Sequence, residues 1–230
     1  MKNSPYFFEI KDIMTQFIAA FNDVTINRYN KDRDVKDKIH ARYVYAPKQR
    51  VLHDIVNKNQ HITLPAIAVS INGISRDSDR VFNKIFGTYM HTGLDDDSIN
   101  TNSDFMPAPI PIDISVNMSI LARYQTDMDQ ILSNFIPYNN PYVIISWKVP
   151  SDFVSDVQEI RTEVLWSGNI SLTYPTDLDP NTPARLSGDT SFTIKSWLFP
   201  HKNKGDGKNI LYVNTDFQTL STPGLSGFYS

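Results

Sequence analysis

The side chains able to do chemistry are scattered along this chain. The five histidines are His40, His53, His61, His91 and His201, and no two have the i, i+4 spacing that sets a pair of imidazoles on one helix face for zinc. Asp177-x-Asp179-x-Asn181 opens like a calcium loop, a row of oxygens suited to a hard cation. Its sixth position is Thr182 where the sharp turn needs glycine, and its twelfth is Gly188 where a bidentate glutamate belongs. A proline-bounded turn accounts for the stretch. Gly205-Asp206-Gly207-Lys208 is a fragment of a phosphate loop. Lys202 stands where the first glycine belongs, and Asn209 follows the lysine in place of the magnesium-binding hydroxyl. A hairpin turn accounts for it. No G-x-S-x-G nucleophile elbow occurs, and the absence of cysteine removes thiol catalysis, thiolate metal sites and disulfides. The densest run of carboxylates is Asp95-Asp96-Asp97, set among Ser, Asn, Thr and Gly. It suits a basic partner or a cation, or it is a solvated charge run. No catalytic residue, cofactor or metal ligand is assigned.

Composition narrows the function classes further. With 230 residues, 40% hydrophobic and 20% charged, the chain has the make-up of a globular protein with a real core. Its net charge of −3 gives no electrostatic case for nucleic-acid binding. Aromatic residues make up 12%, which suits β-rich cores and protein–protein interfaces. Glu9, Lys11 and Asp12 interrupt the apolar pattern near the N-terminus, unlike the apolar run of a signal peptide. No window holds the ~20 apolar residues of a membrane span. The expectation is a soluble protein without a membrane partner, retained in the cell that makes it unless it leaves inside an assembly. On that expectation the glycosylation-like triplets at Asn117 and Asn169 are chance matches.

The elements that must position any site come from periodicity. Ser4 and Pro5 form a helix start, and Ile10, Ile13, Met14, Phe17, Ile18 and Phe21 an apolar stripe, predicting a helix over 5–21. Val24–Tyr29 reads as a short strand, Lys31–Lys38 as a solvated turn and Ile39–Tyr45 as a strand. Val51–Val56 gives one apolar face of a short helix. Ile62–Ile74 is a long β-branched run, with Pro65 suited to an edge or entry position. From Ser75 to Phe105 the pattern collapses into a long exposed loop or arm. Tyr142–Trp147 reads as a central strand, and Val157–Tyr174 as two strands around Ser167-Gly168-Asn169. Thr176–Gly188 is turn-rich, and Phe192–Leu198 alternates again. Lys202–Lys208 reads as a hairpin loop, Ile210–Phe217 as its return strand, and the tail from about 218 has little pattern. Three helices and roughly eight strands joined by polar turns predict an α+β fold. The expected sheet is antiparallel or mixed, with helices packed on one face. The expected organisation is a single domain over 1–230, with an irregular insertion at about 75–105 and a flexible C-terminal tail.

The most informative stretch is Pro107–Pro141. Ile110, Ile112, Ile114, Val116, Met118 and Ile120 recur every second residue, a long strand with one buried face. Met128, Ile131, Leu132 and Phe135 then recur at helical spacing. The join, Arg123-Tyr124-Gln125-Thr126-Asp127, is polar and has no glycine. Thr126 and Asp129 have capping-box spacing, and Arg123 is placed to pair with Asp127 or Asp129. Two readings stand side by side: local architecture of the junction, or contacts from Arg123, Tyr124 and Asp127 to another subunit.

These residues also carry a resemblance. Arg123-Tyr124, Asp127-Met128, Gln130-Ile131 and Ile136-Pro137-Tyr138, entered through Pro107-Ala-Pro-Ile110, resemble a segment of the tail sheath stabilisers, or tail terminators, of contractile-tailed bacteriophages. Tyr43-Val-Tyr-Ala46 with Leu64-Pro65, and Phe192–Pro200, are thinner echoes in the same order. The resemblance implies a structural virion protein without cofactors, found in the virion tail and in host cytoplasm during assembly. It implies a hexameric ring at the head-proximal end of the tail, with the sheath protein, the tube protein and head–tail connector or neck proteins as partners. Under that reading Arg123, Tyr124, Asp127, Asp95, Asp96 and Asp97 are candidate subunit or partner contacts. Alternatives are another neck or baseplate ring component, or a hydrolase using carboxylates of the 75–105 stretch.

Overall fold

Alternation of apolar and polar residues builds one sheet, and two amphipathic helices cover its apolar face. The computed structural model describes residues 6–57, 64–81, 87–91, 103–150, 158–175 and 185–200. In chain order the elements are α1 (Glu9–Ala20), β1 (Thr25–Tyr29), β2 (Val35–His40), β3 (Arg42–Tyr45), α2 (Lys48–Asn57), β4 (Ala66–Arg76), β5 (Gly87–His91), β6 (Ser103–Pro107), β7 (Ile110–Ala122), α3 (Gln125–Tyr138), β8 (Val143–Lys148), β9 (Glu159–Thr173) and β10 (Leu186–Leu198). The main sheet has the order β3-β4-β7-β10-β9-β8. Only β3 and β4 pair in parallel; the other neighbours are antiparallel. The fold is α+β with a mixed sheet, as the patterning predicts. β1–β2 and β5–β6 form separate two-stranded sheets.

Strands β7 and β10 occupy the centre. Ile112, Ile114, Val116, Met118 and Ile120 are buried on one face of β7, joined by Phe192 and Ile194 of β10. Ile13, Met14 and Phe17 of α1 and Met128, Ile131 and Phe135 of α3 close this core. Phe192 is its hub: its ring centroid lies 5.3 Å from Phe17, 5.4 Å from Phe21 and 5.9 Å from Phe135. Gly188 sits close under β9: a Cβ there would lie 3.3 Å from the Leu172 side chain, a tight contact, and 3.5 Å from the Met128 sulfur, an ordinary one. The intervening residues of β7 (Asp113, Ser115, Asn117, Ser119) point the other way. On that side a smaller cluster forms, with Val51 of α2 on Ala68 and Leu121, and Val44, Ala46, Leu52, Ile55 and Leu64 packed around them.

Several elements differ from their expected form. α1 starts at Glu9, four residues after the predicted proline start. Phe8 precedes it in the left-handed region at φ 57°, its carbonyl accepting the Asp12 N–H at 2.9 Å; Ser4 and Pro5 lie outside the described residues. The predicted turn over Lys31–Lys38 is a turn only to Asp34, with Arg33 at φ 64°. Beyond it β2 pairs with β1, Ile26 opposite Ile39. The strand expected over 39–45 breaks at buried Ala41, whose N–H turns to the Val24 carbonyl at 2.9 Å. β4 starts after Pro65, as an entry proline requires, but it is flanked by β3 and β7. β8, read as central, is an edge strand with Ile144 54% exposed. β9 is one strand where two were expected. A bulge at Gly168 (φ 77°) shifts its register against β10 between Thr190 and Phe192. The Thr190 hydroxyl, accepting from the Trp166 indole at 2.7 Å and donating to the Asn169 carbonyl at 2.8 Å, ties the bulge in place. Within the 75–105 stretch β4 runs on to Arg76, and β5 and β6 pair antiparallel. The Asp177–Asn181 stretch, the Gly205–Lys208 turn and the strand expected over Ile210–Phe217 lie outside the described residues. Both sides of β10 are already taken, by β7 and β9.

Replacing the hub tests this packing. Phe192→Ala leaves a cavity among three other rings and is expected to cost ~3–5 kcal/mol in chemical denaturation. Phe192→Leu is expected to cost clearly less.

Candidate functional site

The β7–α3 junction gathers the polar residues singled out in the sequence. Tyr124 is the N-cap, with extended backbone at φ −116° and ψ 145°, and its side chain makes no capping bond. Its carbonyl accepts the N–H groups of Asp127 at 3.2 Å and Met128 at 3.3 Å. The expected capping box is therefore absent. The helix begins two residues earlier than that motif requires, and Asp129 accepts instead from the Gln125 amide at 2.8 Å. Arg123 does not take up Asp127 or Asp129 as expected; its guanidinium lies over the Tyr124 ring, 5.5 Å from the centroid.

Asp127 finds another partner. It is 3% exposed, and its carboxylate sits 3.7 Å from the guanidinium of Arg28 on β1. Arg28 also lies over Tyr124, 5.3 Å from the centroid. One helical turn further, Gln130 grips the same strand with both ends of its amide. Its Nε2 donates to the Asn27 carbonyl at 2.9 Å, and its Oε1 accepts the Asn27 N–H at 3.0 Å. The start of α3 is thus a brace that fixes the β1–β2 hairpin to the main fold. Its outer surface is Tyr124, 47% exposed, with Arg28 and Arg123 over the ring. The structure brings Arg123, Tyr124 and Asp127 together; Asp95, Asp96 and Asp97 lie outside the described residues. Arg28 and Asn27 escaped the sequence reading. Gln130 was visible only as part of the family-like pattern.

Two further polar clusters secure the sheet. On the open face, the Lys48 ammonium of α2 reaches Asp189 at 2.6 Å and the Ser187 hydroxyl at 3.0 Å. Ser119 donates to the other Asp189 oxygen at 2.6 Å. This network borders a groove of about 730 Å³ lined by side chains such as Asn117, Ser191 and Asn169. At the far end of β4, Arg80 donates to Asp77 at 2.6 Å, to the Ile112 carbonyl at 2.7 Å and to Asp113 at 3.0 Å, with Trp197 5.2 Å from its guanidinium. Arg80, with the Asp79 N–H, holds the Asp77 carboxyl below its ordinary range. Burial pushes the Glu9 carboxyl up, yet it is engaged by the Phe199 N–H at 2.9 Å. Among the described residues no three His, Asp or Glu side chains converge as a metal site. The arrangement braces the fold, with the carboxylates of these clusters held by cations, N–H donors or the Ser119 hydroxyl.

The sequence profile of the T4-like virus Myoviridae tail sheath stabilisers matches residues 6–224. The chain belongs to this family. It is 25% identical over 123 residues to the "Tail completion protein gp15" of Enterobacteria phage T4, a match covering 53% of this chain and 44% of that protein. The chain thus covers less than half of that relative's length. A sheath/tube terminator of an extracellular contractile injection system, solved by cryo-EM in its extended state, aligns with 96% of this chain and 66% of its own, at 12% identity and a TM-score of 0.40.

The brace makes a direct prediction. Gln130→Ala leaves the Asn27 N–H and carbonyl unpaired and is expected to cost ~1–3 kcal/mol in denaturant melts. Faster amide exchange should be confined first to β1 and β2. Gln130→Glu, which keeps the acceptor but sets a carboxylate oxygen against the Asn27 carbonyl, should not restore stability. The Asp77 cluster predicts a pH effect. A carboxyl held below its ordinary value of 3.8 contributes stability that is full above that value and is lost as pH falls through the lowered one. Asp77→Asn should therefore melt lower than the unsubstituted protein near neutral pH, with the gap closing as pH falls below 3.8 through the lowered value.

Proposed function

We propose that this protein is a structural, non-catalytic component of a contractile tail, which caps the head-proximal end as a closed ring. In that role it stabilises the last sheath and tube rings and offers the docking surface for connector or neck proteins of the head. The ring is a hexamer, present in the virion tail and assembled in the host cytoplasm. The chain acts as one domain, with the region around 75–105 and the tail from about 218 available for partner contacts. The observation that carries the reading is the family match over residues 6–224.

Features of the fold suit a ring subunit. β3 and β8 are the two edges of the main sheet, and neither outer edge has a strand partner among the described residues. Exposed apolar side chains remain on β8 and the loop before it (Ile144, Tyr142) and on α3 (Ile136, Tyr138). Head-to-tail contacts between two different surfaces close into rings when the rotation between subunits permits. Obligate interfaces of that kind bury on the order of 2,000 Å² or more.

The purified protein should sediment as a single oligomer with a mass six times that of the subunit, and negative-stain images should show closed rings. Particles made without it should carry defects at the upper tail end. A monomer at every concentration, or defects confined to the baseplate end, would sink the proposal.

A further inference from the structure

We infer that the outer surface of the brace, Arg28, Tyr124, Arg123 and Arg185, is a docking site for an acidic polypeptide segment of a partner. The inference deepens the proposed function by naming the chemistry of one contact. The last pair between β10 and β7 is Leu186 opposite Ala122, so Arg185 and Arg123 stand next to each other just beyond the paired ends. Like charges at neighbouring strand positions repel and destabilise. Neither arginine makes an ion pair among the described residues. Arg28, over the same Tyr124 ring as Arg123, has Asp127 at 3.7 Å, and that carboxylate is buried. Asp37, the cross-strand partner of Arg28, forms no ion pair with it. Arg28 and Arg123 therefore share one exposed ring beside a sunken carboxylate, with Arg185 at the neighbouring strand end, on a chain whose overall charge is −3.

The geometry selects among anionic partners. Each guanidinium presents a planar fork of donors that matches a carboxylate bidentately. Neighbouring strands lie ~4.8 Å apart, a spacing that suits carboxylates on nearby residues of one chain better than a single carboxylate. Nucleic acid is the poorer fit. Single strands bind by stacking bases on free aromatic faces, and the Tyr124 ring already carries two guanidiniums. Those guanidiniums also hold the ring in place, so the surface is ordered before a partner arrives and little side-chain entropy is lost on docking.

The test is fluorescence anisotropy of a labelled hexa-aspartate peptide with the full chain, beside a twelve-residue oligothymidine. The variant is Arg123→Ser with Arg185→Ser. Arg28 is left in place because its loss would strand buried Asp127 and threaten folding. The peptide is expected to bind in low salt, to weaken as salt rises, and to bind the double variant roughly tenfold less tightly, as two exposed ion pairs allow. The melting temperature should be unchanged or slightly raised by relief of repulsion. No peptide binding, equal binding by the variant, or tighter binding of the oligothymidine would overturn the inference. Light scattering on the same samples separates it from the proposed function. A closed oligomer indifferent to the peptide counts against this inference alone, and a monomer that binds the peptide counts against the ring alone.

Discussion

The antiparallel pairing of β7 with β10 governs the placement of everything else. Both strands are 13 residues long and their register is unbroken from Leu186–Ala122 to Leu198–Ile110. Side chains alternate with a period of two, so a slip of one residue would turn Ile114, Val116, Met118 and Phe192 out to solvent. That penalty locks the register. Once it is locked, one face of the sheet is apolar along its centre, and α1 and α3 have one place to bury their stripes. The opposite face keeps Ser115, Asn117 and Ser119, and α2 is held there by Val51, Leu52 and Ile55 in a small apolar cluster with Ala68 and Leu121, with Lys48 on Asp189 and Ser187 at its start. One face of the sheet is thus a core and the other a polar surface.

What was legible in the sequence follows from this division. β7 and α3 could be read directly because their burial is one-sided, and one-sided burial leaves a periodic trace. β2 could not. Its residues Val35–Asp37 are exposed on a hairpin away from the core, so their charges look like a turn. β8 was misplaced because Tyr142–Trp147 is apolar enough for a central strand. That Ile144 is exposed depends on which strands flank β8, a fact held in the topology alone. The bulge at Gly168 is likewise set by its partners Thr190 and Phe192. The glycine was visible, but whether it ended a strand or bent one was decided across the sheet.

The candidate site shows the same limit more sharply. The residues Arg123, Tyr124, Asp127 and Gln130 were visible as a group, yet the local account offered for them, a helix cap with an adjacent ion pair, was the wrong one. Their true partners, Asn27 and Arg28, lie about a hundred residues earlier; the Gln130–Asn27 separation is 103. No periodicity encodes a contact of that kind. The family-like pattern marked Gln130 and Asp127 without saying what they do, and the geometry supplies the reason. A glutamine amide can satisfy a main-chain N–H and carbonyl at once, and a buried aspartate needs a cation delivered to it.

That delivery couples the interior to the surface. A buried carboxylate is costly to desolvate, and Arg28 offsets the cost while its own side chain stays 43% exposed. The same guanidinium lies over Tyr124, so the exposed ring, the buried charge and the β1 strand form one mechanical unit. Gln130 adds a second attachment one turn along, and two attachments prevent the hairpin from pivoting about either. A subunit that must meet neighbours in a fixed orientation needs its protruding elements held in this way. A hairpin held by a single flexible contact would lose orientational entropy on each docking event and weaken every interface it entered. Here much of that ordering is already done within the fold, by a brace that pins β1 through Arg28 and Gln130 while Tyr124 stays exposed.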